Sequence, residues 1–412
     1  MALHANTLWE IRTTGNSENG GGFHDRIPGT SVDYSEQNAP QLDLTDLACA
    51  AGSITITSAV GGFTQAMVGN VMQIHAGANF VVGFYEIVTR NSANSIDVDR
   101  IPVTGIGANG HGKVGGGLTL ITQIQAVVVN GNIIYVKSGT YTYVANTAIV
   151  ATGSIQYPIN IIGYDVARGA NPTGNNRPLM HMQTFSFGPA RYAHVHNLRI
   201  DGSHNTLIVA PAQPSFVSFR NCYFENTAVA GTKYCIGASI FAVVNDCEFM
   251  GTAGATSYGI STSQGIVLNS YFHDLTYGVD VASAGVSVLY SIFNRVNYGV
   301  NYAAVGWAGG CIQNCTFYSV AIDAIRSSAA TQYNTAIINN IFHNVVGNAI
   351  NVNTKFIRNN LFFGCGLETV YNADYNEGKV NANPLFTVPG TDFSLNRNSP
   401  AIDMAFSMRL GV

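Results

Sequence analysis

Charge is what this sequence has least of. Asp, Glu, Lys and Arg make up 10% of its 412 residues, against about 25% in ordinary soluble domains. So small a stock cannot furnish the solvated faces of many helices, and it favours strands, turns and stacked Asn, Ser and Thr instead. The formal net charge is −4 and no basic run occurs, which excludes the electrostatic footprint of a nucleic-acid binder. Apolar runs stop well short of the ~18 residues that a membrane span needs, and neither end carries a polybasic or lipidation signal, so no membrane partner is expected. The opening MALHANTLWEIRTTG lacks a charged segment followed by an apolar one, so no signal peptide is expected. Cysteines number seven, odd and irregularly spaced. Cys222, Cys247 and Cys315 recur at one repeat position and read as small inward filling rather than disulfides or metal ligands. Folding in a reducing cytoplasm follows.

What the chain does have is 44 glycines, 10% aromatic residues and repetition. From Tyr192 to about Val370 one pattern returns eight times: a small inward residue, a β-branched or aromatic residue two positions on, Asn two further, then Phe or Ile three positions after the Asn. The copies end on Ile200, Phe224, Phe249, Phe272, Phe293, Phe317, Phe342 and Phe362, at intervals of 24, 25, 23, 21, 24, 25 and 20 residues. A period in the low twenties without helical spacing marks a β-solenoid. With the closing Phe pointing inward, alternation also turns Val195, Phe219, Val244, Val267, Val288, Ile312, Ile337 and Ile357 inward. Asn197, Asn221, Asn269, Asn314, Asn339 and Asn359 fall on a turn, as a structural ladder in which Asp246 and Tyr290 are the two departures; Asn tolerates the left-handed conformation, and stacked amides can bond along the axis.

Residues 1–118 read differently. LDLTDLACAAGSITITSAVGGF, VMQIHAG, FVVGFYEIV and SIDVDRIPV are short alternating runs broken by Gly and Asn, the pattern of a small antiparallel β-domain. The Gly-rich run from Gly105 to Gly117 reads as its linker, and its GxGxxG spacing is followed by more glycine rather than a helix, so no dinucleotide site is expected. LTLITQIQAVVVNG suits a short helix or strand, and a helix there would cap the open end of the stack. TAIVATG is one of three strand-length runs that open the solenoid, and the insertion Ala167 to Pro178 has turn chemistry. The expected division is therefore an N-terminal β-domain over 1–118, a parallel β-helix over 119–370, and a segment over 371–412 that covers the last rung.

The run IIYVKSGTY, the Asn-x-x-Phe rungs and the closing NPLF, DFSL and SPAID resemble right-handed parallel β-helix proteins of the pectate-lyase-like superfamily, over roughly residues 130–405. That resemblance implies the fold and leaves activity open, because the superfamily includes lyases, hydrolases, tailspikes and inert scaffolds. The stretch from WEIRTTGNSENGGGF to the Gly-rich run is similar to a leader module on β-helix proteins of tailed-phage genomes. It implies a virion location and a role in attachment.

Outward positions decide between enzyme and scaffold. Val243, Ile266, Leu268, Leu289, Ile292, Ile338 and Ile341 make two neighbouring faces apolar in mid-stack, which predicts an interface with identical chains around a threefold axis or with another capsid or tail protein. On the third face Ser261, Asp280, Asn301, Arg326 and Asn351 share an outward column, edged by Tyr258, Tyr277, Tyr298, Asp323 and Asn348. Asp280, Asp323 and Arg326 are the candidates for catalysis, since polysaccharide cleavage on this fold needs a base with charge neutralisation or a pair of carboxyls. His194 and His196 lack a third ligand, Asp97 and Asp99 suit a solvated edge, and no GxSxG elbow occurs. Neither metal nor cofactor is expected. The reading is a non-enzymatic virion component, either a capsid decoration or a tail-associated appendage. The alternatives are a tailspike-type depolymerase and an adhesin for host surface glycan.

Overall fold

A computed structural model describes residues 3–149, 153–187, 192–204, 206–210, 216–228, 230–252, 256–282, 285–303, 309–327, 334–354, 356–371 and 376–402. Val150 to Thr152 of the expected strand TAIVATG, and Asp403 to Ala405 of the closing pattern, lie outside the described residues. The protein is all-β, a right-handed parallel β-helix with a closed six-stranded barrel in its N-terminal part. Among the described residues no helix is long and apolar enough to cross a membrane. Two compact units divide the chain, the first ending at Leu198 and the second running mainly from Arg199.

In the first unit the barrel closes in the order Leu42–Cys49, Thr55–Thr57, Ser95–Val98, Gly83–Ser92, Val71–Phe80 and Val103–Val114, antiparallel throughout. Leu44, Leu47, Ile56, Met72, Ile74, Ile87 and Ile96 fill it. The Gly-rich run expected as a linker is largely its closing strand, Val103–Val114, which bonds to both Leu42–Cys49 and Val71–Phe80. Packing explains the glycine: a Cβ on Gly110 would lie 2.6 Å from the Phe80 ring and 2.8 Å from Leu47.

The barrel sits inside the solenoid sequence rather than before it. Leu8–Ile11 pairs in parallel with Ile133–Lys137, which pairs in parallel with Ile159–Tyr164, so the first rung comes from the very N-terminal stretch. Its antiparallel partner Gly22–Phe23 and the edge of Phe84 against Trp9 cover that rung. The expected capping helix over 118–131 is a single 3-10 turn, Ile121–Gln123, since the end it would have covered is already taken. Glu10, fully buried, accepts four bonds: from Arg12 Nε (2.7 Å) and the Tyr164 hydroxyl on one oxygen, and from Arg168 Nε (3.0 Å) and Nη2 (2.8 Å) on the other. Arg168 belongs to the surface insertion. It also pairs with Asp33 at 2.6 Å and lies over the Tyr135 ring.

The second unit is a stack of three-sided rungs. The first side carries the inward column Phe219, Val244, Val267, Val288, Ile312, Ile337 and Ile357, in register and buried. The second carries Phe224, Phe249, Phe272, Phe293, Phe317, Phe342 and Phe362, whose rings stack at 4.7–5.1 Å and within 9° of parallel. The third begins Tyr-Gly-hydrophobic, and Gly is needed because a Cβ on Gly278 or Gly299 would lie 2.6 or 2.5 Å from the Phe293 or Phe317 ring. Between first and second sides every residue of the turn row is left-handed, Asn221, Asn269, Asn314, Asn339 and Asn359 and also the departures Asp246 and Tyr290, with φ from 46 to 56°. A second left-handed row, Asp274, Arg295, Ser319 and Asn344, follows the second side. The buried axial ladder lies one position past the asparagines. There Ser270, Ser291, Asn340 and Asn360 accept from the backbone N–H of Cys247, Ser270, Cys315 and Asn340 of the preceding rung at 2.9–3.3 Å.

The solenoid passes its expected end at Val370. Asn376–Glu377 pairs with Ile357 and Arg358, and Val380–Asn381 with Leu361 and Phe362. Backbone pairing continues here after the apolar code has stopped. The tail was expected to cover the last rung, but its hairpin, Phe386–Val388 with Asp392–Leu395, lies along the second side. Phe386 and Phe393 reach Tyr318, Phe386 also reaches His343, and Asn294 Nδ2 donates to the Gly390 carbonyl at 3.2 Å.

Candidate functional site

Strands Thr256–Leu268, Tyr277–Val281, Tyr298–Tyr302, Asp323–Ser327 and Asn348–Asn351 build the third side. Their register brings Ser261, Asp280, Asn301, Arg326 and Asn351 into one outward column. Beside it the rings of Tyr234, Tyr258, Tyr277 and Tyr298 stack at 4.5–4.8 Å, and the Arg326 guanidinium covers Tyr298 at 4.3 Å. Asp280 accepts from Ser261 Oγ at 3.2 Å and Asn301 Nδ2 at 2.6 Å. Burial pushes its carboxyl above the ordinary range, while these two bonds and the charge of Arg326 pull the other way. The side-chain amide oxygen of Asn301, buried between the Asp280 and Arg326 rungs, has no hydrogen-bond partner among the described residues.

The three candidate catalytic residues are not brought together. Asp323 stands two rungs and three strand positions from Asp280, about 14 Å apart along the backbone, beyond the roughly 5–9.5 Å of paired hydrolytic carboxyls. Its two oxygens are taken by Asn348 N (3.0 Å), Asn348 Nδ2 (2.7 Å) and Asn351 Nδ2 (3.0 Å). The strip can hold a polar ligand by hydrogen bonds and supplies one carboxyl with a raised pKa. Among the described residues no group of three or more His, Cys, Asp or Glu is placed to hold a metal ion.

The apolar columns divide in two. Val243, Ile266, Leu268, Leu289 and Ile338 lie half-buried on the first side, together with Phe241 at 36% and Phe356 at 53% exposure. Ile292 and Ile341, expected at the same interface, instead line clefts beneath the protein's own hairpin. One cleft, about 540 Å³, is walled by Tyr290, Ser291, Ile292, Asn314 and Thr316 on the rungs and by Thr391, Asp392, Phe393 and Ser394 on the hairpin. A second, about 230 Å³, shares Asn314, Thr316 and Phe393 with it. Sequence reading missed these because the tail's position is set by tertiary packing; the departure of Tyr290 from the asparagine row was the one available signal.

Sequence reading also missed a charged cluster on the second side. His273 Nδ1 bonds Asp274 at 2.8 Å and Nε2 bonds Glu248 at 3.1 Å, and Arg295 grips Asp274 with two bonds of 2.6 and 2.7 Å. Burial works against the charged imidazole, but its two carboxylate partners outweigh it and hold its pKa above the usual value. His343, on the same column, is buried among aromatic rings and burial lowers its pKa.

No protein family and no curated protein matches the chain in sequence. Among solved structures it is similar to pectate lyase Pel9A, with a TM-score of 0.52 at 14% identity, over 69% of this chain and 85% of that one. A rhamnogalacturonan lyase matches at a TM-score of 0.42 and 13% identity, over 65% of this chain and 82% of that one. The catalytic unit of an alpha-1,3-glucanase from Streptomyces thermodiastaticus matches at 0.36 and 8% identity, over 87% and 94%. The first of these likenesses supports the β-helix fold, and none of them carries an activity across.

Proposed function

We propose that the protein is a non-enzymatic structural component of a phage virion, a capsid decoration or tail-associated appendage made in the host cytoplasm. It assembles through the first side of its β-helix, with two further copies around a threefold axis or with a neighbouring capsid or tail protein. The observation that carries this reading is the half-buried column Val243, Ile266, Leu268, Leu289 and Ile338, flanked by exposed Phe241 and Phe356. Apolar surface of this kind is what association removes from water, at about 25 cal/mol per Å² before the entropic cost of joining. The N-terminal barrel is the attachment piece, in keeping with the leader-like sequence of residues 1–118. Deleting the barrel residues 42–114 is expected to leave particles without the protein; particles that incorporate the truncated chain as well as the full one would count against the reading.

A second reading rests on Asp280. A carboxyl with a raised pKa, two rungs from Arg326 on a strip edged by tyrosines, suits a polysaccharide depolymerase or a glycan-binding adhesin for a host surface. The neighbour Pel9A is named a pectate lyase, which makes pectate one polymer to try beside bacterial capsule and lipopolysaccharide. Release of reducing ends by the wild-type chain, lost in both Asp280→Asn and Arg326→Ala, would establish this reading against the first.

A further inference from the structure

Tyr290 holds a left-handed turn at φ 53° with 57% of its surface exposed. Asn does this better, and Asn or Asp does it at every other member of the row. A bulky residue at positive φ is a genuine outlier, and an exposed ring adds little to packing, so neither the turn nor the core accounts for it. The ring stands instead at the wall of the 540 Å³ cleft, within the usual size of a small-ligand site.

The chemistry of the walls narrows the ligand. Tyr290, Ile292 and Phe393 offer apolar surface, and around them stand the Asn314 amide, the Thr316, Thr391 and Ser394 hydroxyls and the Asp392 carboxylate. Ser291 is already committed, donating to the Leu289 carbonyl and accepting from Ser270 N–H. Ser394 Oγ bonds Thr387 Oγ1 at 2.9 Å, while Asp392 accepts from Ser394 N–H through Oδ1. Among the described residues the lining holds no cation and one anion, Asp392, which repels uronates and phosphates. A ring whose negative face attracts polarised C–H groups, set among neutral donors and acceptors and one carboxylate acceptor, matches a molecule with an apolar face and a rim of hydroxyls.

We propose that the cleft between Tyr290 and the C-terminal hairpin binds a neutral saccharide, with the Tyr290 ring against its C–H face and Asn314 and Asp392 on its hydroxyls. This goes beyond the assembly reading and does not depend on it, and the cleft lies on a different side of the rungs from the Asp280 strip. The test is saturation-transfer NMR on the full chain with maltotriose, cellotriose and chitotriose, and with trigalacturonate as the anionic control. At least one neutral trisaccharide is expected to bind, with affinity falling about tenfold in Tyr290→Asn, a change that installs the row's own residue and keeps the turn. Asp392→Asn should weaken the same sugar, and Asp280→Asn should leave it unchanged. Failure of all three neutral sugars, equal binding of trigalacturonate, or unaltered binding in Tyr290→Asn would each overturn the proposal, as would loss of binding in Asp280→Asn alone.

Discussion

Tyr290 stands in a row whose other members are Asn or Asp, and the left-handed turn costs a bulky side chain about 1–2 kcal/mol. Tyr290→Asn should therefore raise the urea midpoint, by up to about 1 kcal/mol of stability, and a clear loss would mean the ring packs in a way its exposure does not suggest. Glu10 is the opposite case. Burial pushes its carboxyl up, yet both arginines beside it are held above their usual value, and four donors on two oxygens fit only the ionised form. Glu10→Gln would turn an amide N–H toward a guanidinium or the Tyr164 hydroxyl and leave buried arginine charge without its partner, costing about 3 kcal/mol in urea unfolding. The turn asparagines were legible one by one because a short polar residue at fixed spacing has one common cause. The Glu10 network was not, because Arg168 sits in an insertion that reads as an ordinary loop and meets Glu10 only through the fold.

The C-terminal hairpin rests on His343 through Phe386, with the His343 ring stacked on Tyr318 at 4.8 Å. A histidine whose pKa is lowered by burial contributes stability that is present above its ordinary value and lost as pH falls through the lowered one. Protection of Phe386–Val388 and Asp392–Leu395 against hydrogen exchange, taken relative to the intrinsic rate at each pH, should thus fall as pH drops below the ordinary histidine value of about 6.5, and His343→Phe should flatten that change. An equal loss of protection in the variant would assign the effect to another group. The rungs were legible from the sequence because each repeats a code of inward Val or Ile, turn Asn and inward Phe. The hairpin's resting place was not, since nothing in NPLFTVPGTDFSL names Tyr318 or His343. Gly105 to Gly117 misread as a linker for a related reason: glycine signals a loop by propensity, while here the Phe80 ring requires it inside a strand.

At the scale of the whole molecule the apolar first side makes a claim about solution behaviour. Ile266→Glu and Leu289→Glu should each reduce the mass seen by light scattering to that of one chain, with the thermal midpoint little changed because both side chains point outward. Association of the wild type should hold or tighten as salt is raised from about 0.1 to 1 M, since apolar contact is not screened. A wild-type chain that is already monomeric would leave a virion neighbour as the remaining occupant. The placement of the barrel within the solenoid sequence has a further consequence, in time rather than space. Leu8–Ile11 precedes its partner Ile133–Lys137 by 125 residues (133 − 8), a wait of roughly 6–25 s at ribosomal speeds of about 5–20 residues per second. The barrel, complete at Val114, can close in the interval while one edge of Leu8–Ile11, the edge that Ile133–Lys137 later takes, stays unpaired. Glu10 and Arg12 then serve the nascent chain before they serve the native one, because charge on a waiting edge discourages pairing with a neighbouring polypeptide.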